Sequence, residues 1–217
     1  MKTILVPLLA LGLLAGVAGA QGQPVTMNAQ IEQVTGFTIC PGFGFRVTGT
    51  GIFLESNTVD LSQHVGDIVR ITGTAPSPFP CAAPVIFVDQ VGFATATLKA
   101  CGVPAGGCPV KLTVGPPTIS QNSLWFSTAP QGFLNAGDPL GVWVLGTPFT
   151  HVFTGGPPGS ITLTVPQSFA LVGLSVDFQG HHIEIGPIHP PGSLTNPLRI
   201  TIQPPGLFCI DPNSCPP

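Results

Sequence analysis

The sequence predicts an all-β protein built from two modules, and three observations carry that prediction. Helical periodicity is almost absent, while short segments of alternating apolar and polar residues recur from residue 46 to residue 202. The 28 Gly and 26 Pro interrupt those segments as turn residues do. Hydrophobic residues make up 43% of the chain and charged residues 7%, against about 25% charged in an ordinary globular protein. Disorder needs low hydrophobicity and high net charge, so the bulk of this chain folds.

Residues 1–20 read as a secretory signal peptide. Lys2 supplies a positive start, Ile4 to Val17 a short apolar run, and Ala18-Gly19-Ala20 a small-residue cleavage site. The run is short for a bilayer crossing and no later run approaches it. The expectation is a secreted or cell-surface protein with no membrane span in the mature chain.

The first module is expected over residues 24–97. "RVTGTGIFLE" (46–55) alternates, "DIVRITG" (67–73) follows, and "VIFVDQV" (85–91) is a continuous apolar run that suits a strand covered on both faces. Between them, "VDLSQHVG" (59–66) offers Asp60 or Ser62 as the cap of one short helical turn, with His64 at its rim. Across 94–118 the texture becomes small and Gly/Pro-rich, which marks the boundary.

The second module is expected over 98–203. Its strands are "SLWFST" (123–128), "GVWVLG" (141–146), "SITLTV" (160–165), "LSVDFQ" (174–179), "HIEI" (182–185) and "PLRITI" (197–202). Ile161, Leu163 and Val165 share one face, as do Leu198, Ile200 and Ile202; regular short strands of this kind argue a sandwich or barrel-like module. The tail, 204–217, reads as irregular and held by its cysteines.

Composition also narrows function. The net charge is −3 and the six Lys and Arg are scattered. Nucleic acid binding needs clustered cations to displace counterions, so no nucleic acid partner is expected. Cys40, Cys81, Cys101, Cys108, Cys209 and Cys215 are an even set in an exported chain and read as disulfides. Spacing leaves the connectivity open among fifteen pairings; a Cys101–Cys108 bond would close a tight loop at the module boundary.

Both halves resemble uncharacterised secreted proteins of Planctomycetes-type bacteria. "LESNTVDLSQHVGDIVRITGTA", a cysteine, then "VIFVDQV" is similar to their small OB-like β-barrel module. The resemblance implies the pair Cys40–Cys81, which flanks this stretch as that module's cysteines do. "CGVPAGGCPVKLTVGPP", "APQGFLNAGDPLGVWVLG", "VPQSFALVGLSVDFQG" and "SLTNPLRITI" resemble their C-terminal β-sandwich-like module. These motifs are turn and core residues, and they imply fold without implying chemistry.

The most chemically loaded stretch is "QGHHIEIGPIH" (179–189). Leu174, Val176 and Phe178 share a buried face, and straight alternation would then drive His182 and Glu184 into the core, which is costly for an unpartnered carboxylate. A β-bulge at Gly180 would reverse the phase, putting His181 inside and His182 and Glu184 outside. Neighbours at i and i+2 on one face lie about 7 Å apart, and two such groups can share zinc or another divalent transition metal if a third ligand arrives. His189 and His151 are the candidates, the latter on what reads as a loop. The reading carried forward is polar surface decoration, with no cofactor and no catalytic residue; the metal site is the alternative. No G-x-S-x-G elbow or phosphate-binding loop is present. Trp125, Trp143, Phe126 and Phe149 read as sandwich core, with a glycan groove as their alternative role. The expected function is a non-catalytic extracellular structural or binding module, with a glycan or other matrix proteins as partners.

Overall fold

The structure, a computed structural model, describes residues 22–36, 39–115, 120–156, 159–184, 192–206 and 208–214. It is all-β. The first module forms strands β1 (Gln23–Gln33), β2 (Phe45–Val47), β3 (Phe53–Glu55), β4 (Ile68–Ala75) and β5 (Val85–Phe93), which close into a barrel in the order β1-β2-β3-β5-β4. β3 and β5 run parallel, and the other pairs are antiparallel. The register between β4 and β5 shifts at Thr72 and Gly73, leaving Asp89 as an extra residue; such bulges help a short sheet to curl shut.

Alternation decides the barrel core. Val25, Met27, Ala29 and Ile31 of β1 meet Val69 and Ile71 of β4 and Ile86 and Val88 of β5 inside. The apolar run in β5 is covered on both faces as expected. Ile86 and Val88 enter the main core, while Val85 joins Phe53 and Ala83 beneath Cys40 in a second, smaller core. Cys40 is bonded to Cys81 there, as the resemblance implied. Between β3 and β4 one 3-10 turn (Leu61–His64) is capped by Asp60, whose carboxylate accepts from the Ser62 N–H at 3.0 Å.

The second module is a two-sheet sandwich. One sheet orders β12 (Gly159–Thr164), β7 (Pro109–Gly115) and β6 (Thr97–Cys101). The other orders β11 (Thr150–Gly155), β8 (Ser120–Ser127) and β13 (Ser175–Glu184), with β14 (Ser193–Leu194) and β15 (Leu198–Thr201) both on the far edge of β13. Leu98, Val110, Leu112 and Val114 face Leu124 and Phe178 across the gap, and Ile161, Leu163, Leu198 and Ile200 pack around them. Residues 204–206 and 208–214 carry no strand, and Cys209 is bonded to Cys108. Cys108 is therefore not paired with Cys101; Cys101 is also in a disulfide, with a partner outside the described residues. No helix among the described residues is long and apolar enough to cross a membrane.

Three segments depart from the expected layout. "RVTGTGIFLE" is not one strand but the antiparallel pair β2 and β3 joined by a turn at 48–51. The Gly/Pro-rich stretch 94–118, expected as a boundary, carries β6 and β7 of the sandwich. "GVWVLG" is not a strand of the sandwich. Residues 128–149 leave β8, cross the outer face of its sheet as a strap, and return to β11. They hold only a small hairpin, β9 (Leu134–Asn135) with β10 (Val142–Trp143). Val142 and Val144 of this strap are part of the barrel core, where full burial of each contributes about 1.5 kcal/mol or more. Polar anchors complete the seam between the modules. Asn28 of β1 donates to the Leu194 carbonyl at 2.7 Å and accepts from the Thr95 N–H at 3.0 Å. Gln131 of the strap donates to both the Gly49 carbonyl and the Asp177 carboxylate at 3.0 Å.

Candidate ligand-binding groove

The site is built on β13. Its register against β8 runs without interruption from Asp177 opposite Ser127 to Glu184 opposite Ser120, so no bulge occurs at Gly180. The expected phase is thereby reversed. Phe178, Gly180 and His182 face the sandwich core, and Asp177, Gln179 and His181 face the strap. The reversal has a physical basis: the strap covers the second face of the sheet, so neither face needs to be a solvent face. Gly180 marks close packing rather than a bulge. A Cβ there would lie 3.0 Å from a Val114 methyl of the opposite sheet and 3.0 Å from the Thr195 methyl.

His182 is accordingly buried, 3% exposed, with Nδ1 2.8 Å from the Asn122 side-chain oxygen. This pairing is what permits an imidazole in the core. His151 lies on β11, not on a loop, paired with Trp125 in register, and its Nε2 is 2.8 Å from the Thr154 hydroxyl. Trp125 shares the Gln179 face of the sheet, so His151 and His182 project to opposite faces and cannot meet at one ion. The side chain of Glu184 and all of His189 lie outside the described residues. Among the described residues no three His, Cys, Asp or Glu side chains converge as metal ligands would.

The strap face is where the structure gathers a site. Gln179 is fully buried; it donates to the carbonyls of Val142 at 2.7 Å and Thr195 at 3.2 Å, and accepts from the Val144 N–H at 3.0 Å. These bonds hold the strap at a fixed height above the sheet. Beside Gln179 the strap and the sheet do not close. They leave a groove of about 650 Å³ walled by Trp125, Trp143, Phe149 and His181 and floored by Leu140, Leu145, Leu194 and Phe133. The rings form a corner. Trp125 and Trp143 are 5.6 Å apart at 70°, and Trp143 and Phe149 are 5.1 Å apart at 64°. Such edge-to-face angles suit the ring quadrupoles.

None of the residues lining the groove carries a formal charge unless His181 is protonated. Burial, and secondarily the adjacent His182, hold the His181 pKa below its ordinary value of 6.5, so the wall is neutral at physiological pH. The His181 Nε2 is buried without a hydrogen-bond partner among the described residues. It sits against Gly192, where any Cβ would come within 2.3 Å of it.

Sequence reasoning assigned Trp125, Trp143, Phe126 and Phe149 to the core. Phe126 does pack on the sandwich core, whereas the other three form the groove. The available signal was "PQGFLNAGDPLGVWVLG", too long and too rich in turns for a strand pair, which left Trp143 to serve something other than a sheet interior. Comparison of the chain with protein-family profiles, with curated proteins and with solved structures found no match.

Proposed function

We propose that this protein is a secreted, non-catalytic binding module of the cell exterior, and that it holds its ligand in the groove between strap and sheet. The observation that carries the reading is the groove itself. It lies within the size range of small-molecule sites, is mostly apolar, and is preformed by buried hydrogen bonds from Gln179 rather than by mobile chain. Disulfides, very low charge and the leader-like first twenty residues support an extracellular setting. The metal alternative loses support from the opposite facing of His151 and His182.

A thermal-shift screen of uncharged small molecules tests the reading. Leu134 lines the groove yet is 63% exposed, so Leu134→Arg can obstruct the mouth with little cost to folding. Compounds that bind the groove raise the melting temperature of the wild-type protein and not of Leu134→Arg. A broad screen in which every shift is the same for both proteins would refute the reading.

A further inference from the structure

We infer that the groove selects a flat, uncharged, largely apolar molecule, an aromatic or fused-ring compound, over both sugars and fatty acids. The inference rests on the binding reading above and adds the class of ligand.

Charge is the first argument. A carboxylate or ammonium brought into the groove finds no counter-ion on its walls, and desolvating an unpaired charge is strongly unfavourable. That disfavours fatty acids and cationic amines. Polarity is the second. The side chains offering hydrogen bonds are Thr147, His181 and the two indoles. A sugar of matching size would bury more hydroxyls than these can serve, leaving some unpaired. Shape is the third. The steeply angled rings of Trp125, Trp143 and Phe149 present a corner into which a flat ring packs by face and by edge at once.

The same walls supply an anchor. Neither indole N–H donates to another described group, although both tryptophans are mostly buried. Since the His181 Nε2 is buried, a polar contact from this ring to a ligand runs through Nδ1. One or two oxygen atoms on an otherwise apolar ring system match that set.

The chain has two tryptophans and no tyrosine, and both tryptophans line the groove, so intrinsic fluorescence reads this site directly. The mature, oxidised protein is titrated with N-phenyl-1-naphthylamine (uncharged and aromatic), laurate (anionic alkyl) and maltotriose (uncharged sugar). The naphthylamine is expected to bind saturably and quench tryptophan emission, with laurate and maltotriose at least tenfold weaker. Trp143→Ala and Leu134→Arg should each weaken the naphthylamine at least tenfold, read by the dye's own emission, whereas Phe93→Ala, at a 98% exposed position outside the groove, should not. Should Trp143→Ala fail to fold, Leu134→Arg decides alone. Tight binding of laurate or maltotriose with a silent naphthylamine overturns the ligand class and leaves the binding reading standing. Naphthylamine binding that survives Leu134→Arg overturns the assignment to this groove. No binding by any of the three overturns the ligand class, and a null result in the wider screen as well overturns both.

Discussion

Replacing Gln179 by methionine tests whether this one side chain fixes the strap. Methionine has nearly the same volume and no strong hydrogen-bonding group, so the change leaves packing almost intact and removes three bonds. The Val142 carbonyl, the Thr195 carbonyl and the Val144 N–H then lose their partner in a place from which water is excluded, Gln179 itself being 0% exposed. An orphaned buried polar group costs about 1 to 3 kcal/mol. Three of them, with some relaxation of the strap, give a loss of about 3 to 6 kcal/mol. A protein of this size has a urea dependence of about 2 to 3 kcal/mol per molar, so the midpoint should fall by about 1 to 3 M. Urea denaturation followed by tryptophan emission measures it, since Trp143 rides on the strap and Trp125 lies beneath it. A midpoint within about 0.3 M of wild type would mean that the strap is held by its apolar residues alone and that Gln179 does not anchor it.

Other perturbations follow from the same structure. Cys40→Ser with Cys81→Ser opens a loop of 41 residues, and removal of Cys108–Cys209 opens one of 101. Chain entropy assigns about 4 and about 5 kcal/mol respectively, so calorimetry should find the second loss no smaller than the first. Arg199 donates to both oxygens of the Asp177 carboxylate at 2.8 and 2.9 Å, and Asp177 is 3% exposed. Arg199→Met should cost about 2 kcal/mol in denaturant midpoints by leaving that carboxylate without its cation, and a neutral effect would show that Gln131 alone suffices. His181 has its folded pKa depressed below 6.5, so the unfolded chain takes up its proton first. Its contribution to stability is complete above about pH 6.5 and is lost as pH falls toward the folded value. His181→Gln should therefore lose less stability than wild type between about pH 7 and 5, and parallel loss in both proteins would contradict the burial of this ring.

How much of this was legible in the sequence depended on whether local pattern or distant covering decided the outcome. The barrel strands β4 and β5, the Asp60 cap and the sandwich strands at 160–165 and 197–202 follow from alternation and turn chemistry within a few residues of each element, whereas β1 gave no local strand signal and "RVTGTGIFLE" breaks at 48–51 into β2 and β3. The Gly180 bulge was a sound inference from an incomplete premise. It supposed that β13 has a solvent face, and no local signal reveals that residues 128–149 lie across that face. The same blind spot put Trp143 in the sandwich core and His151 on a loop. Motif residues in the second half gain a meaning only in three dimensions. Gln179 anchors the strap, and Asn196 satisfies both the N–H and the carbonyl of Leu98, at 2.8 and 3.0 Å, along one edge of the opposite sheet.

Val142 and Val144 reach from the strap into the barrel interior. The point at which the chain changes texture is thus not a point at which it comes apart. A fragment ending near residue 97 would carry a barrel with an empty socket where two aliphatic side chains belong. A fragment beginning there would display those side chains to water. The two halves are coupled by this arrangement: a substitution that reshapes the barrel interior constrains Val142 and Val144, and with them Trp143 between them, one of the rings of the aromatic corner.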